Sequence, residues 1–211
     1  MIIPITSNYY DDEIKLFMYD KLELQPGITS LVGCNGAGKS TLLHQIKEYA
    51  VHNNLLWIDY NDRTQGHSNL MDKMAFEERY ADLANMFMSS EGERNYIGVG
   101  SFFRVIGAKT TQCLREDIKD LIVLLDATDS GMSVDNIEEV RDALLDTVIP
   151  DAVSKDLNLY VVVAANNYEW ACDARLHLIN VITGEPLQNL TYEDWKKQIY
   201  FTRASKDIRD D

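Results

Sequence analysis

Gly33, Gly36, Gly38, Lys39 and Ser40 carry the most specific chemistry in the chain. They lie within Gly33-Cys34-Asn35-Gly36-Ala37-Gly38-Lys39-Ser40-Thr41. This stretch fits G-x-x-x-x-G-K-[ST], and its chemistry is phosphate binding. Backbone N–H groups wrap a phosphate only where no Cβ intrudes, and Gly36 and Gly38 supply that room. A lysine at 39 reaches the β- and γ-phosphates, and a hydroxyl at 40 ligates Mg²⁺. A second candidate is Asp126, which closes the apolar run Leu121-Ile122-Val123-Leu124-Leu125. In phosphate-loop proteins an aspartate at the end of such a strand holds Mg²⁺ through water. Asn166 and Asn167 follow another apolar run and face the same edge. Ser90 with Glu93 forms a capping box; with Gly92 it reads either as a helix start or as an anion site.

The elements that must position these residues alternate. Residues 1–32 read as strands, with Ile14 to Tyr19 and Leu22 to Leu24 in alternation and a turn at Pro26-Gly27. Ile28 to Val32 enters the glycine loop as a buried strand, and a helix starting at Thr41 leaves it with its positive end towards the phosphates. Leu55 to Tyr60 is a second apolar strand. A polar loop from Asn61 to Asn69 and a helical pattern from Leu70 to Met88 follow, then a helix through Arg104. Leu121–Asp126 reads as a central parallel strand. Val134 to Val148 reads as a helix closed by Pro150, and Leu157 to Ala165 as another buried strand. Arg175 to Gly184 suggests a hairpin and Tyr192 to Tyr200 a short helix. The charged tail from Thr202 to Asp211 is expected to be mobile. Tyr9 and Tyr10 precede the first strands, where a ring could pack a sheet edge or stack on a base.

A chain of 211 residues suits one domain with a sizeable core. Its 45% hydrophobic and 26% charged residues suit an ordinary globular protein. No apolar run is long enough to span a membrane, and Met1-Ile2-Ile3-Pro4 lacks the features of a signal peptide. The three scattered cysteines, Cys34, Cys113 and Cys172, suggest a reducing cytoplasm, neither a disulfide framework nor a metal site. A formal net charge of −14 opposes autonomous binding to nucleic acid, leaving only a local basic patch as a route to it.

Taken in order, these motifs resemble those of ATP-binding cassette (ABC) ATPases, across about Ile14 to Thr183. Leu31 to Leu43 is similar to the family's Walker A segment nearly residue for residue. Ser90, Gly92 and Glu93 match a degenerate signature in which Glu91 replaces a glycine. Asp126, Ser130 and Gly131 match the Walker B and D-loop run. Gln65 stands near the Q-loop glutamine and Asn166 near the switch histidine. The resemblance implies a single domain over residues 1–211. It implies a P-loop NTPase three-layer α/β fold with a central, mostly parallel sheet and an antiparallel N-terminal strand region. ATP and Mg²⁺ are the implied cofactors. The implied nucleotide contacts are Asn35, Gly36, Ala37, Gly38, Lys39, Ser40 and Thr41, and Ser40, Asp126 and Gln65 surround the metal. A head-to-tail homodimer is implied as well, with Ser90 and Gly92 of one subunit facing the loop of the other.

The chain departs from the family twice. The glutamate that polarises the attacking water is replaced by Ala127, so slow hydrolysis is expected, with Asp129 as a displaced catalytic acid. The switch histidine is replaced by Asn166, which orients a γ-phosphate contact but carries no proton at neutral pH. The segment from Leu42 to Ser89 is too short for the helical subdomain of transporter subunits, and the long arms of chromosome-maintenance ATPases are missing. The expectation is therefore a soluble ATPase acting as a nucleotide-dependent clamp or regulator with a further protein partner. The alternatives are a non-hydrolysing ATP-binding module, a transporter subunit and a nucleotide kinase.

Overall fold

The computed structural model describes residues 1–8, 14–61, 91–164 and 166–210. β1 (Ile2–Pro4) and β2 (Lys21–Glu23) pair antiparallel into a small separate sheet. The main sheet is built from β3 (Gly27–Val32), β4 (Leu56–Asn61), β5 (Asp120–Asp126), β6 (Asn158–Ala164), β7 (His177–Asn180) and β8 (Pro186–Leu187). Its order is β4-β5-β6-β3-β7-β8, parallel except for β8. β8 opens with Pro186, which suits an edge strand because proline has no N–H to donate. The chain is thus α/β, with a mostly parallel six-stranded sheet and a small antiparallel one.

The central strands are apolar on both sides because helices cover both faces. On one face Leu121, Val123, Leu125, Val161 and Val163 pack with α2 (Glu91–Glu116) and α3 (Val134–Ala143). The alternate residues Ile122, Leu124 and Val162 point to the other face, where α1 (Lys39–His52) and the small sheet cover them. Side chains alternate along a strand, so one register shift would exchange the two cores.

Four expectations need correction. Ile14 to Tyr19 is not a strand. It is an extended strap held by separate bonds, Leu16 N–H to Ser7 O and Met18 N–H to Ile182 O, each 2.8 Å. Its alternation still buries Phe17 and exposes Met18. α2 runs on past Arg104 to Glu116. Pro150 does not close the helix after β5: α3 passes through a π turn at Leu144–Val148 into α4 (Ile149–Ser154). Proline cannot donate to the carbonyl four residues back, and the wider π turn opens the ladder just before it.

The short helix expected over Tyr192 to Tyr200 runs on into the charged tail, because α5 spans Tyr192–Asp210. Thr191 caps it, accepting from Asp194 N–H at 3.2 Å while donating to the Asp194 carboxylate at 2.7 Å. Trp195 packs against one core and Ile199 against the other, so α5 lies across the carboxyl ends of the strands. Asn180 Nδ2 at the end of β7 donates to Gln198 Oε1 at 2.9 Å. Among the described residues no helix is long and apolar enough to cross a membrane.

Candidate functional site

The strand order already singles out one crevice. After β3 the chain leaves towards the β4 edge, and after β6 it leaves the other way, to β7. β3 and β6 are neighbours, so their carboxyl ends form a topological switch point, where open α/β sheets bind ligands. The segments leaving this point are the glycine loop after Val32 and the Asn166-Asn167 turn after Ala164.

The loop is shaped by its glycines. Gly36 and Gly38 have φ of 79° and 104°, in the left-handed region that favours glycine. A Cβ on Gly33 would lie 2.5 Å from Val181 Cγ1. The turn closes through Ala37 N–H to Cys34 O at 3.2 Å, and Cys34 N–H donates to Thr202 Oγ1 of α5 at 2.9 Å. The N–H groups of Asn35, Gly36, Gly38, Lys39, Ser40 and Thr41 meet no acceptor among the described residues. α1 begins here without a side-chain cap and without an acid in its first turn. A ring of unsatisfied donors at an uncapped helix start attracts an anion.

Lys39 is buried beneath this loop. Its Nζ donates to Gly33 O (2.6 Å), Cys34 O (3.2 Å) and Asn166 Oδ1 (3.0 Å). Burial pushes its pKa below the usual range, while Cys34, Asp129 and Asp126 pull it back up. Ser40 Oγ donates to Asp126 Oδ1 at 3.0 Å, which joins the hydroxyl and the carboxylate expected at a metal. A cleft of about 210 Å³ opens beside them, lined also by His44, Lys47 and Asp59. A larger cleft of about 430 Å³, beside Glu23, Asp173 and His177, is lined by no residue of the glycine loop and not by Asp126. Ser40 and Asp126 make the smaller cleft the better candidate.

Asp129 is 2% exposed. Its Oδ2 accepts from Asn166 N–H (2.7 Å), Asn167 N–H (2.8 Å) and Asn167 Nδ2 (2.9 Å). Asp129 therefore holds the turn whose side chain, Asn166, holds Lys39. Asp129 Oδ1 and the neighbouring Thr128 Oγ1 are buried without partners among the described residues. Ala127 has φ of 52°, and its N–H donates to Ala164 O at 3.1 Å.

The structure thus brings together the loop from Asn35 to Thr41, Asp126, Asp129 and Asn166. Gly92 lies within the described span of α2, Glu91–Glu116. Gln65, Ser90, Tyr9, Tyr10 and the helical pattern from Leu70 to Met88 lie outside the described residues. Thr202 and Lys206 of α5 reach the loop without having been anticipated. Their signal was the spacing of Trp195, Ile199, Thr202 and Lys206 along one helical face. No protein-family model matches this chain, and no curated protein matches it.

Proposed function

We propose that this chain is an ABC-type, P-loop ATP-binding protein that hydrolyses ATP slowly and pairs head to tail when ATP is bound. The observation that carries the reading is the six-donor loop with Lys39 beneath it and the Ser40–Asp126 pair beside it. The strand order supports it by putting this loop at the switch point. The donor set fits Mg²⁺, which takes hard oxygen ligands and commonly binds through one or two carboxylates together with phosphate oxygens. Ser40 Oγ and Asp126 would hold the ion, with Gln65 the expected third contact. When bound, Mg²⁺ supplies neutralisation of the phosphate charge.

On this reading the loop N–H groups bind and orient the phosphates, and Lys39 turns from Gly33 O and Cys34 O to the β- and γ-oxygens. Asn166, released by Lys39, faces the terminal phosphate. Ala127 offers no acceptor to the attacking water, and Asp129 commits Oδ2 to the Asn166-Asn167 turn. Asp129 Oδ1 is the acceptor left for that water, from a buried position. Slow turnover follows, and the protein acts as a nucleotide-dependent clamp or regulator for a protein partner. Ala127 also favours a second reading, a module that binds ATP and does not hydrolyse it. Steady-state phosphate release measured beside nucleotide binding separates the two. The first reading predicts binding with turnover well below the enzyme median of about 10 s⁻¹. Turnover at that median would contradict both.

A further inference from the structure

α5 touches the loop at two points one helical turn apart. Thr202 Oγ1 accepts the Cys34 N–H at 2.9 Å and is fully buried. Four residues on, the side chain of Lys206 lies across Gly36. A Cβ at Gly36 would stand 3.1 Å from Lys206 Nζ, 3.3 Å from its Cε and 3.5 Å from its Cδ. The missing side chain at 36 is thus what makes room for the lysine. Among the residues whose side chains are described, no carboxylate pairs with this ammonium. It rests against a loop whose N–H groups carry partial positive charge themselves, an arrangement that an anion between them would relieve.

We propose that Lys206 is a second lysine for the terminal phosphates of a nucleotide bound on the loop, delivered from α5 of the same chain. This rests on the ATP-binding reading above. It assigns the C-terminal helix to the binding site: Thr202 fixes the helix to the loop, and Lys206 supplies charge at its apex. Its contribution grows with phosphate count, because each added phosphate brings negative charge nearer the ammonium.

The test is a calorimetric titration of ATP, ADP and AMP, each with Mg²⁺, into the full chain and its Lys206→Met and Lys206→Arg variants. Methionine keeps an apolar stem over Gly36 and removes the charge. The expected result for Lys206→Met is about tenfold weaker ATP binding, the scale of one charge-assisted hydrogen bond. The loss is smaller for ADP and absent for AMP, and Lys206→Arg stays near wild type. Unchanged ATP affinity in Lys206→Met, with only a shifted melting temperature, would make Lys206 a cation favouring the helix C-terminus and overturn the proposal. An equal loss for all three nucleotides, or for Lys206→Arg as well, would also overturn it by pointing to loop shape. A wild-type chain that binds no nucleotide would instead remove the reading on which the proposal rests.

Discussion

Ala127 holds φ at 52°, where an L-residue costs roughly 1–2 kcal/mol. Such strain concentrates at functional sites, and this residue follows the aspartate that faces Ser40. On the reading proposed here, Ala127→Glu supplies the missing acceptor for the attacking water. General-base catalysis contributes a factor of about 10²–10⁴, so phosphate release should rise by about 10² or more. An unchanged rate would show that the water is positioned elsewhere. Asp129→Asn tests where. An amide oxygen can still accept from Asn166 and Asn167 N–H, so the turn survives, while the residual turnover should fall by about 10². Asp129→Ala leaves both N–H groups without their acceptor. It should lower stability by about 1.5–3 kcal/mol for each charge-assisted bond lost, read from denaturant unfolding.

Arg175 ties the turn before β7 to the π turn of the helix after β5, through Asp173 and Asp146. Its guanidinium beside Asp173 holds that carboxyl down to about 2. The folded pKa lies below the unfolded one of 3.8, so this contribution is fully present above pH 4. It disappears as pH falls through about 2. Asp173 is partly exposed, and screening leaves roughly 1 kcal/mol. Urea unfolding should therefore separate wild type from Asp173→Asn at pH 6, and the gap should narrow as pH falls towards 2 and close below it. At this scale most of the sheet was legible in the sequence. Leu121 to Leu125 and Leu159 to Ala164 are unbroken apolar runs, as strands covered on both faces must be. Ile14 to Tyr19 misled because alternation reports which side is buried, not whether a neighbouring strand supplies a ladder. Pro150 misled because a π turn absorbs the missing N–H. The tail misled because its charges hid the stripe from Trp195 to Lys206. The loop, Asp126 and Asn166 could be read locally. The clamp of Asp129 on Asn166, by contrast, joins two loops that only the sheet brings together.

The whole molecule carries a formal net charge of −14, so two copies repel unless a specific contact outweighs the field. On the reading proposed here that contact forms through ATP, between the loop of one subunit and Ser90 and Gly92 of the other. Light scattering at about 0.15 M salt, where charges are screened beyond roughly 8 Å, should give twice the monomer mass with Mg²⁺ and ATP. Ser90→Arg should hold the chain at monomer mass. The claim beneath all of this is that the loop binds a nucleotide through Lys39. Calorimetric titration of ATP with Mg²⁺ into wild type and Lys39→Ala tests it most directly. The variant loses a charge-assisted contact of about 1.5–3 kcal/mol, so its affinity should fall by about tenfold or more. Equal affinity in the two proteins, or no binding to the wild type, would contradict the account.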